Sequence, residues 1–264
     1  MKTISLMCLG LALAGGAAAA ETAQQRGKRV VMAALQAMGG KAYLAMQDRE
    51  QVGRAYSFFR EELQGLSIAH VYTRYPAPVA GKPSVSERQN FGKDEAYGAL
   101  YTPSGAWDVT FRGARPLAAR AMENWHYGTL YGIFYILRQR LDEPGMEFYS
   151  RGSDLYENLP VEIVDITDAA GVTVTVYFGA SSKLPVRQVL RRRNPEYKDF
   201  DTDEAVYAKY RDVGGGVMWP FSILRHRNGE KIFELYSETV QINRNLRDSL
   251  FTLPPNLPLL PQAK

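Results

Sequence analysis

The sequence predicts a mostly β, α+β fold: one large, strongly curved antiparallel sheet with an amphipathic helix before it and a longer helical stretch in its middle. Three observations predict it. Over most of the chain apolar residues recur at every second position, and the segments are separated by turn signals too short to hold crossover helices. A period of three and four appears in two places, from Val30 to Met38 and from about Arg115 to Leu141. Finally, 45% hydrophobic and 23% charged residues in a chain of 264 provide material for a core, with no compositional sign of disorder.

The chain opens with Lys2, an uncharged apolar run from Thr3 to about Ala17 and small residues through Ala20, which reads as a secretory signal peptide over residues 1–20 cleaved before Glu21. The run falls short of the ~20 apolar residues that a bilayer span needs. Cys8, the single cysteine, lies inside it, and Leu6 and Met7 are the wrong context for a lipid-modified cleavage site. The processed protein would therefore lack a thiol, which removes disulfides, thiolate metal sites and cysteine nucleophiles from consideration.

After the polar start, Val30, Val31, Ala34, Leu35 and Met38 form one helical face, and Gly39-Gly40 supply a left-handed stop before about two further turns through Tyr43, Leu44 and Met46. From about Gln51 the period becomes two, with strands near Val52 to Phe58, Ala69 to Tyr75, Val85 to Phe91, Glu95 to Tyr101 and Gly105 to Arg112. The stretch from about Arg115 to Leu141 is a helix or a pair of helices. Its second half, Leu130 to Leu137, is apolar almost all round, so it is enclosed by protein or by a ligand. Asp142, Glu143, Pro144 and Gly145 end it.

Strands then resume: Glu147 to Ser150, Val161 to Ile166, Val172 to Phe178, Val186 to Arg192, Ala205 to Arg211, Val217 to Leu224 and Ile232 to Ile242. Turns fall at Ala169-Ala170-Gly171, Ser181-Ser182, Gly214-Gly215-Gly216 and Asn228-Gly229, the last being a strong two-residue hairpin signal. Residues 21–253 read as a single domain. Pro254, Pro255, Pro258 and Pro261 make residues 254–264 a tail laid on the surface.

Charge and motif content narrow the function. The formal charge is +4, with the bases spread among almost as many acids, so no basic stripe for nucleic acid is visible. His70, His126 and His226 lack metal-ligand spacing, and neither a His-Glu-x-x-His run nor a Gly-x-Ser-x-Gly elbow is present. The carboxylate groups Asp142-Glu143 and Asp201, Asp203 and Glu204 sit beside turns with no glycine-centred calcium loop. Gly214-Gly215-Gly216 is followed by Val217, Met218 and Trp219 leading into a strand, so it is a hairpin turn and not a phosphate cradle. No catalytic or metal-ligating residue is assigned, and no cofactor is expected.

Four segments carry a resemblance to a known fold: ALQAMGG, YFGASSKLPVRQVLR, YRDVGGGVMWPFSILRHRNG and NRNLRDSLFTLP. In this order of helix, strand, Leu-Pro turn, strand, glycine turn, Pro-bearing strand and closing Asn and Phe, the chain resembles the LolA/LolB-like periplasmic lipoprotein-sorting superfamily, in particular its LolA-like secreted proteins. The resemblance implies a curved antiparallel half-barrel of about eleven strands, with an N-terminal helix and a central helix covering the concave face, over a hydrophobic cavity that accepts acyl chains. It implies a non-catalytic periplasmic carrier without a cofactor.

An open concave sheet needs an apolar cover, and the central helix is the segment apolar enough to provide it. Each methylene taken out of water contributes about 0.8 kcal/mol, so such a cavity needs shape and dryness more than polar groups. The cavity and lid candidates are Phe58, Trp107, Phe111, Trp125, Leu130, Tyr131, Ile133, Phe134, Leu137, Tyr177, Trp219 and Phe233. Arg191, Arg192, Arg193 and Lys198 form the densest basic cluster, a candidate contact for anionic headgroups or an acidic partner. The expected partner is an acyl lipid or lipoprotein, with an envelope membrane protein as a further partner and a monomeric chain. Two other readings stand beside carriage: an envelope sensor or scaffold module of the same fold, and an envelope hydrolase.

Overall fold

The computed structural model describes residues 20–77, 83–194, 197 and 199–262. The expected signal peptide falls almost wholly outside them. Helix α1 (Ala23–Ala37) starts with a reciprocal cap in which the Thr22 hydroxyl accepts from the Gln25 N–H at 3.2 Å and the Gln25 side chain accepts from the Thr22 N–H at 2.9 Å. It buries Val30, Val31, Ala34 and Leu35. At Gly27 it approaches the sheet so closely that a β-carbon would lie 2.5 Å from the Phe148 carbonyl oxygen. Gly39 and Gly40, both at positive φ, then break the chain direction before the short α2 (Lys41–Ala45).

Among the described residues, thirteen antiparallel strands form one open sheet. The first six are β1 (Asp48–Phe59), β2 (Glu62–Arg74), β3 (Ser86–Phe91), β4 (Tyr97–Thr102), β5 (Gly105–Thr110) and β6 (Gly113–Pro116). The other seven are β7 (Glu147–Tyr156), β8 (Leu159–Thr167), β9 (Thr173–Gly179), β10 (Pro185–Arg193), β11 (Phe200–Asp212), β12 (Met218–Arg227) and β13 (Glu230–Ile242). The count exceeds the eleven that the resemblance implies. One source of the difference is β6, whose four residues are too few to show alternation and are partly absorbed by helical spacing counted from Arg115.

Strand order settles the architecture. It runs β6-β5-β4-β3-β2-β1-β13-β12-β11-β10-β9-β8-β7, so the first and last strands pair in the middle while β6 and β7 are the two free edges. The segment joining β6 to β7 must therefore cross the whole sheet. Strand-to-strand twist curls the sheet into a half-barrel, and the connector runs through the hollow as α3 (Ala119–Leu130), a break at Tyr131-Gly132, α4 (Ile133–Tyr135) and a π-helical turn, Ile136–Arg140.

The two halves of this connector differ. Ile133, Ile136 and Leu137 are at most 1% exposed and pack with α1 and with Val164, Ile166, Val174, Val176 and Phe178 in the main core. Polar side chains fix them there. The Gln188 side-chain oxygen accepts from the Ile133 N–H at 2.8 Å and from the Tyr207 hydroxyl at 2.9 Å, and the Tyr43 hydroxyl donates to the Phe134 carbonyl at 2.6 Å. Arg138 donates to the carbonyls of Tyr43 and Met46. Arg140 reaches Glu143 at 2.8 Å, Asp168 at 3.1 Å and the Leu130 carbonyl at 2.9 Å, which ties the end of α3 and the π-helical turn to the β8–β9 hairpin. By contrast, α3 has no buried residue.

Past β13 the chain turns under the Asp48 carboxylate, which accepts from the N–H groups of Arg244 and Leu246 at 2.7 and 3.0 Å. It then straps the outer face of β3 to β6. Phe251 lies 4.5 Å from the Arg74 guanidinium, and Leu253 and Leu257 pack with Trp107 on the cluster of Leu100, Val109 and Ala114. Beside edge strand β6, the Ala114 N–H donates to the Pro258 carbonyl at 2.9 Å and the Leu260 N–H to the Ala114 carbonyl at 2.8 Å. That covers backbone groups which would otherwise be free to template another strand.

Asp168 gives the connector's anchor a pH signature. Burial alone would raise its carboxyl pKa, but hydrogen bonds from Tyr131, Arg140 and the Val172 N–H outweigh it and hold the carboxyl below the ordinary value. A depressed folded-state pKa stabilises above the unfolded value of about 3.9 and loses that contribution as the pH falls through the folded value. Asp168→Asn should therefore cost about 2 kcal/mol at neutral pH, the size of a lost charge-assisted bond. The difference from the parent should shrink below about pH 4, read by urea unfolding at pH 7 and pH 3. A difference that stays constant across this range would assign the cost to geometry and not to charge.

Candidate functional site

Between α3 and the inner face of the sheet lies a cleft of ≈ 290 Å³, at the small end of the range for ligand sites. Strand alternation decides what faces it. Trp219 on β12 is 3% exposed at its floor, and Phe134 packs with ring centres 4.9 Å from Trp219 and 4.8 Å from Tyr207 of β11. On the opposite wall Trp125 of α3 stacks on Tyr101 of β4 at 4.8 Å with the rings 6° from parallel. Burial pushes the Tyr207 phenol pKa up, so this hydroxyl stays protonated and donates to Gln188.

The lining is only half apolar. Arg49 of β1 is 7% exposed, its guanidinium sits 4.0 Å from the Trp219 ring centre, and it donates to the Thr73 hydroxyl at 2.8 Å. At one end Arg192 of β10 lies 3.3 Å from Asp203, which also receives Arg227 at 2.8 Å, and Arg192 donates to the Asn124 side chain of α3 at 2.7 Å. This link and the Trp125 stack hold α3 over the cleft. The polar wall went unread because charged residues at alternate strand positions look like a solvated face. Asp48, Arg49 and Gln51, three polar residues at the start of β1, are all buried.

Of the twelve cavity and lid candidates, Trp125, Phe134 and Trp219 line this cleft. Ile133 and Leu137 are fully buried core, Leu130 packs against that core, and the buried Tyr131 donates to Asp168 at 2.7 Å. Trp107 faces the other side of the sheet, under the C-terminal strap. Phe111 is 80% exposed beside the β5–β6 turn. Tyr177 is on the outer face against Arg187, Phe58 lies 4.2 Å from Lys231, and Phe233 packs on the small cluster of Ala55, Ala69 and Leu235. Parity within a strand decides the cases of Trp107 and Tyr177, and composition does not reveal parity.

The arginine run divides the same way. Arg192 lines the cleft and also reaches a more open depression of ≈ 550 Å³, whereas Arg191 and Arg193 line that depression together with Arg151 and Arg187 and do not line the cleft. Arg187 is held by Glu204 at 2.8 and 2.9 Å, and Arg191 lies 5.0 Å from the Phe200 ring. Lys198 lies outside the described residues. Among the described residues no three His, Cys, Asp or Glu side chains gather to hold a metal, and no helix is long and apolar enough to cross a membrane.

Compared by sequence, the chain matches no family model and no curated protein. Compared by structure, it is similar to a DUF1329 family protein from Desulfovibrio piger (TM-score 0.61, 11% identity, covering 88% of this chain and 98% of that one). It is also similar to an outer membrane lipoprotein-sorting protein domain from Vibrio parahaemolyticus (0.58, 10%, 86% and 97%). A third similar structure is a LolA superfamily protein from Nitrosomonas europaea (0.51, 14%, 83% and 98%). With an open thirteen-stranded antiparallel sheet and a helical connector across its hollow, this chain has the LolA-like fold.

Proposed function

We propose that the protein is a non-catalytic periplasmic binder and carrier of lipid or lipoprotein acyl chains, exported by the apolar N-terminal segment and loaded in the cleft beneath α3. The observation that carries this reading is the contrast along the connector. Residues from Ile133 onward are locked into the core, while α3, with no buried residue, covers an aromatic-lined cleft. A cover with no buried residue, whose contacts include the Trp125–Tyr101 stack and the Arg192–Asn124 hydrogen bond, can lift without unfolding the sheet. Gly128, where an added β-carbon would meet nothing within 4 Å, and the break at Gly132 support a hinge at the end of α3. The lipoprotein-sorting description of one structural neighbour agrees with acyl-chain cargo.

On the outer face, Arg191 and Arg193 suit contact with an anionic membrane surface, each base contributing about 1 kcal/mol near such a surface. In this reading the outer depression docks the protein and the cleft takes the chain.

Two measurements test these roles. Acyl chains brominated along their length should quench Trp125 and Trp219 but leave Trp107 bright, so Trp107→Phe keeps nearly all of the quenching and a Trp125→Phe, Trp219→Phe double variant loses most of it. Quenching confined to Trp107 would place the cargo outside the cleft. Sedimentation with phosphatidylglycerol vesicles at low salt should fall about tenfold or more for Arg191→Glu with Arg193→Glu, as two charge reversals predict, with little change for neutral vesicles. Unaltered binding would remove the outer face from the proposal.

A further inference from the structure

We infer that the cleft is built for an amphiphile with an anionic head, whose carboxylate pairs with Arg49 over the Trp219 indole while its apolar body lies against Phe134 and Tyr207. The inference rests on the cleft being the binding site proposed above and adds the sign and chemistry of the ligand's head.

Arg49 carries the argument. It is a guanidinium 7% exposed, with no carboxylate within ion-pair distance among the described residues, one hydrogen bond to the Thr73 hydroxyl, and an Nε–H that has no partner. Burying a permanent cation this way is costly unless something negative completes it. Glu87 does not do so directly: it approaches the Thr73 hydroxyl at 3.5 Å and is already bonded to Gln89 at 2.6 Å. A second donor sits beside it, because the Nε1–H of Trp219, 3% exposed under the same guanidinium, also lacks an acceptor.

Two buried N–H groups without acceptors thus belong to neighbouring side chains that both line one cleft. The missing partner is an acceptor oxygen bearing charge, and a guanidinium presents two parallel N–H groups that match a carboxylate.

The rest of the lining sets the ligand's size and polarity. Asp203 is shared by Arg192 and Arg227, and Glu204 is taken by Arg187 from the outer side, so these two carboxylates of the wall are neutralised without Arg49, while Glu87 is bonded to Gln89 and Thr73. Space of ≈ 290 Å³ holds roughly ten heavy atoms at about 30 Å³ each. This is a medium-chain acid, or the head and first methylenes of a longer one emerging past α3.

The test is a calorimetric titration of the full-length exported protein at pH 7 with decanoate and with decan-1-ol, which differ in the head group. Decanoate should bind at least tenfold more tightly than the alcohol, and Arg49→Met should abolish that preference. Equal affinities in the parent protein, or a preference that survives Arg49→Met, would overturn the anionic head and leave apolar binding in the cleft intact. Binding of neither probe would refute the inference together with the function on which it rests. If Arg49→Met does not fold, the two-probe comparison on the parent protein decides the matter unaided.

Discussion

The pairing of the first strand with the last is the constraint on which the rest of the molecule depends. With β1 and β13 side by side at the centre, the chain's midpoint has to pass from one free edge of the sheet to the other. A curled sheet leaves one route with apolar company, through the hollow. Cover, cleft and core therefore follow from connectivity: whatever sequence occupies residues 117–146 will lie on the concave face. What the sequence adds is a division of labour within that stretch, with Ile133, Ile136 and Leu137 serving as core and Asn124, Trp125 and Tyr127 facing the cleft.

Polar contacts, more than apolar packing, mark where this division falls. Gln188 caps the N–H that the break at Gly132 leaves open, and Arg140 gathers the last carbonyl of α3 together with Glu143 and Asp168. Removing a single partner from such a buried set leaves the remaining groups uncompensated, which costs far more than a surface pair contributes. The connector's second half is consequently rigid for a reason separate from its hydrophobicity. Its first half has no buried residue, and Arg192 joins it to the strands beneath through Asn124.

Much of this was legible in the residues. Val174, Val176 and Phe178 point inward as their alternation with Thr173, Thr175 and Tyr177 predicts, Gly39-Gly40 stop α1, and Asn228-Gly229 turn β12 into β13. The helical spacing from Arg115 to Leu141 located the connector, although its start belongs to β6. The chemistry of the cleft was harder to read. A dry cavity was the expectation, yet Arg49, Gln188 and Arg192 face inward, because a polar residue on a strand carries no mark of which side of the sheet it occupies until the register is known. The same ambiguity put Trp107 and Tyr177 among the cavity candidates when both lie on the outer face.

The strap that follows β13 gives the sheet a property that it would lack without it. Since Pro258 and Leu260 shield the margin of β6, and Leu253 and Leu257 hide Trp107 and its neighbours, every residue up to the end of β13 could be in place and the sheet would still present a raw, sticky border. Loss of the segment from Leu253 to Leu260 would open that border to proteases and to other copies of the chain.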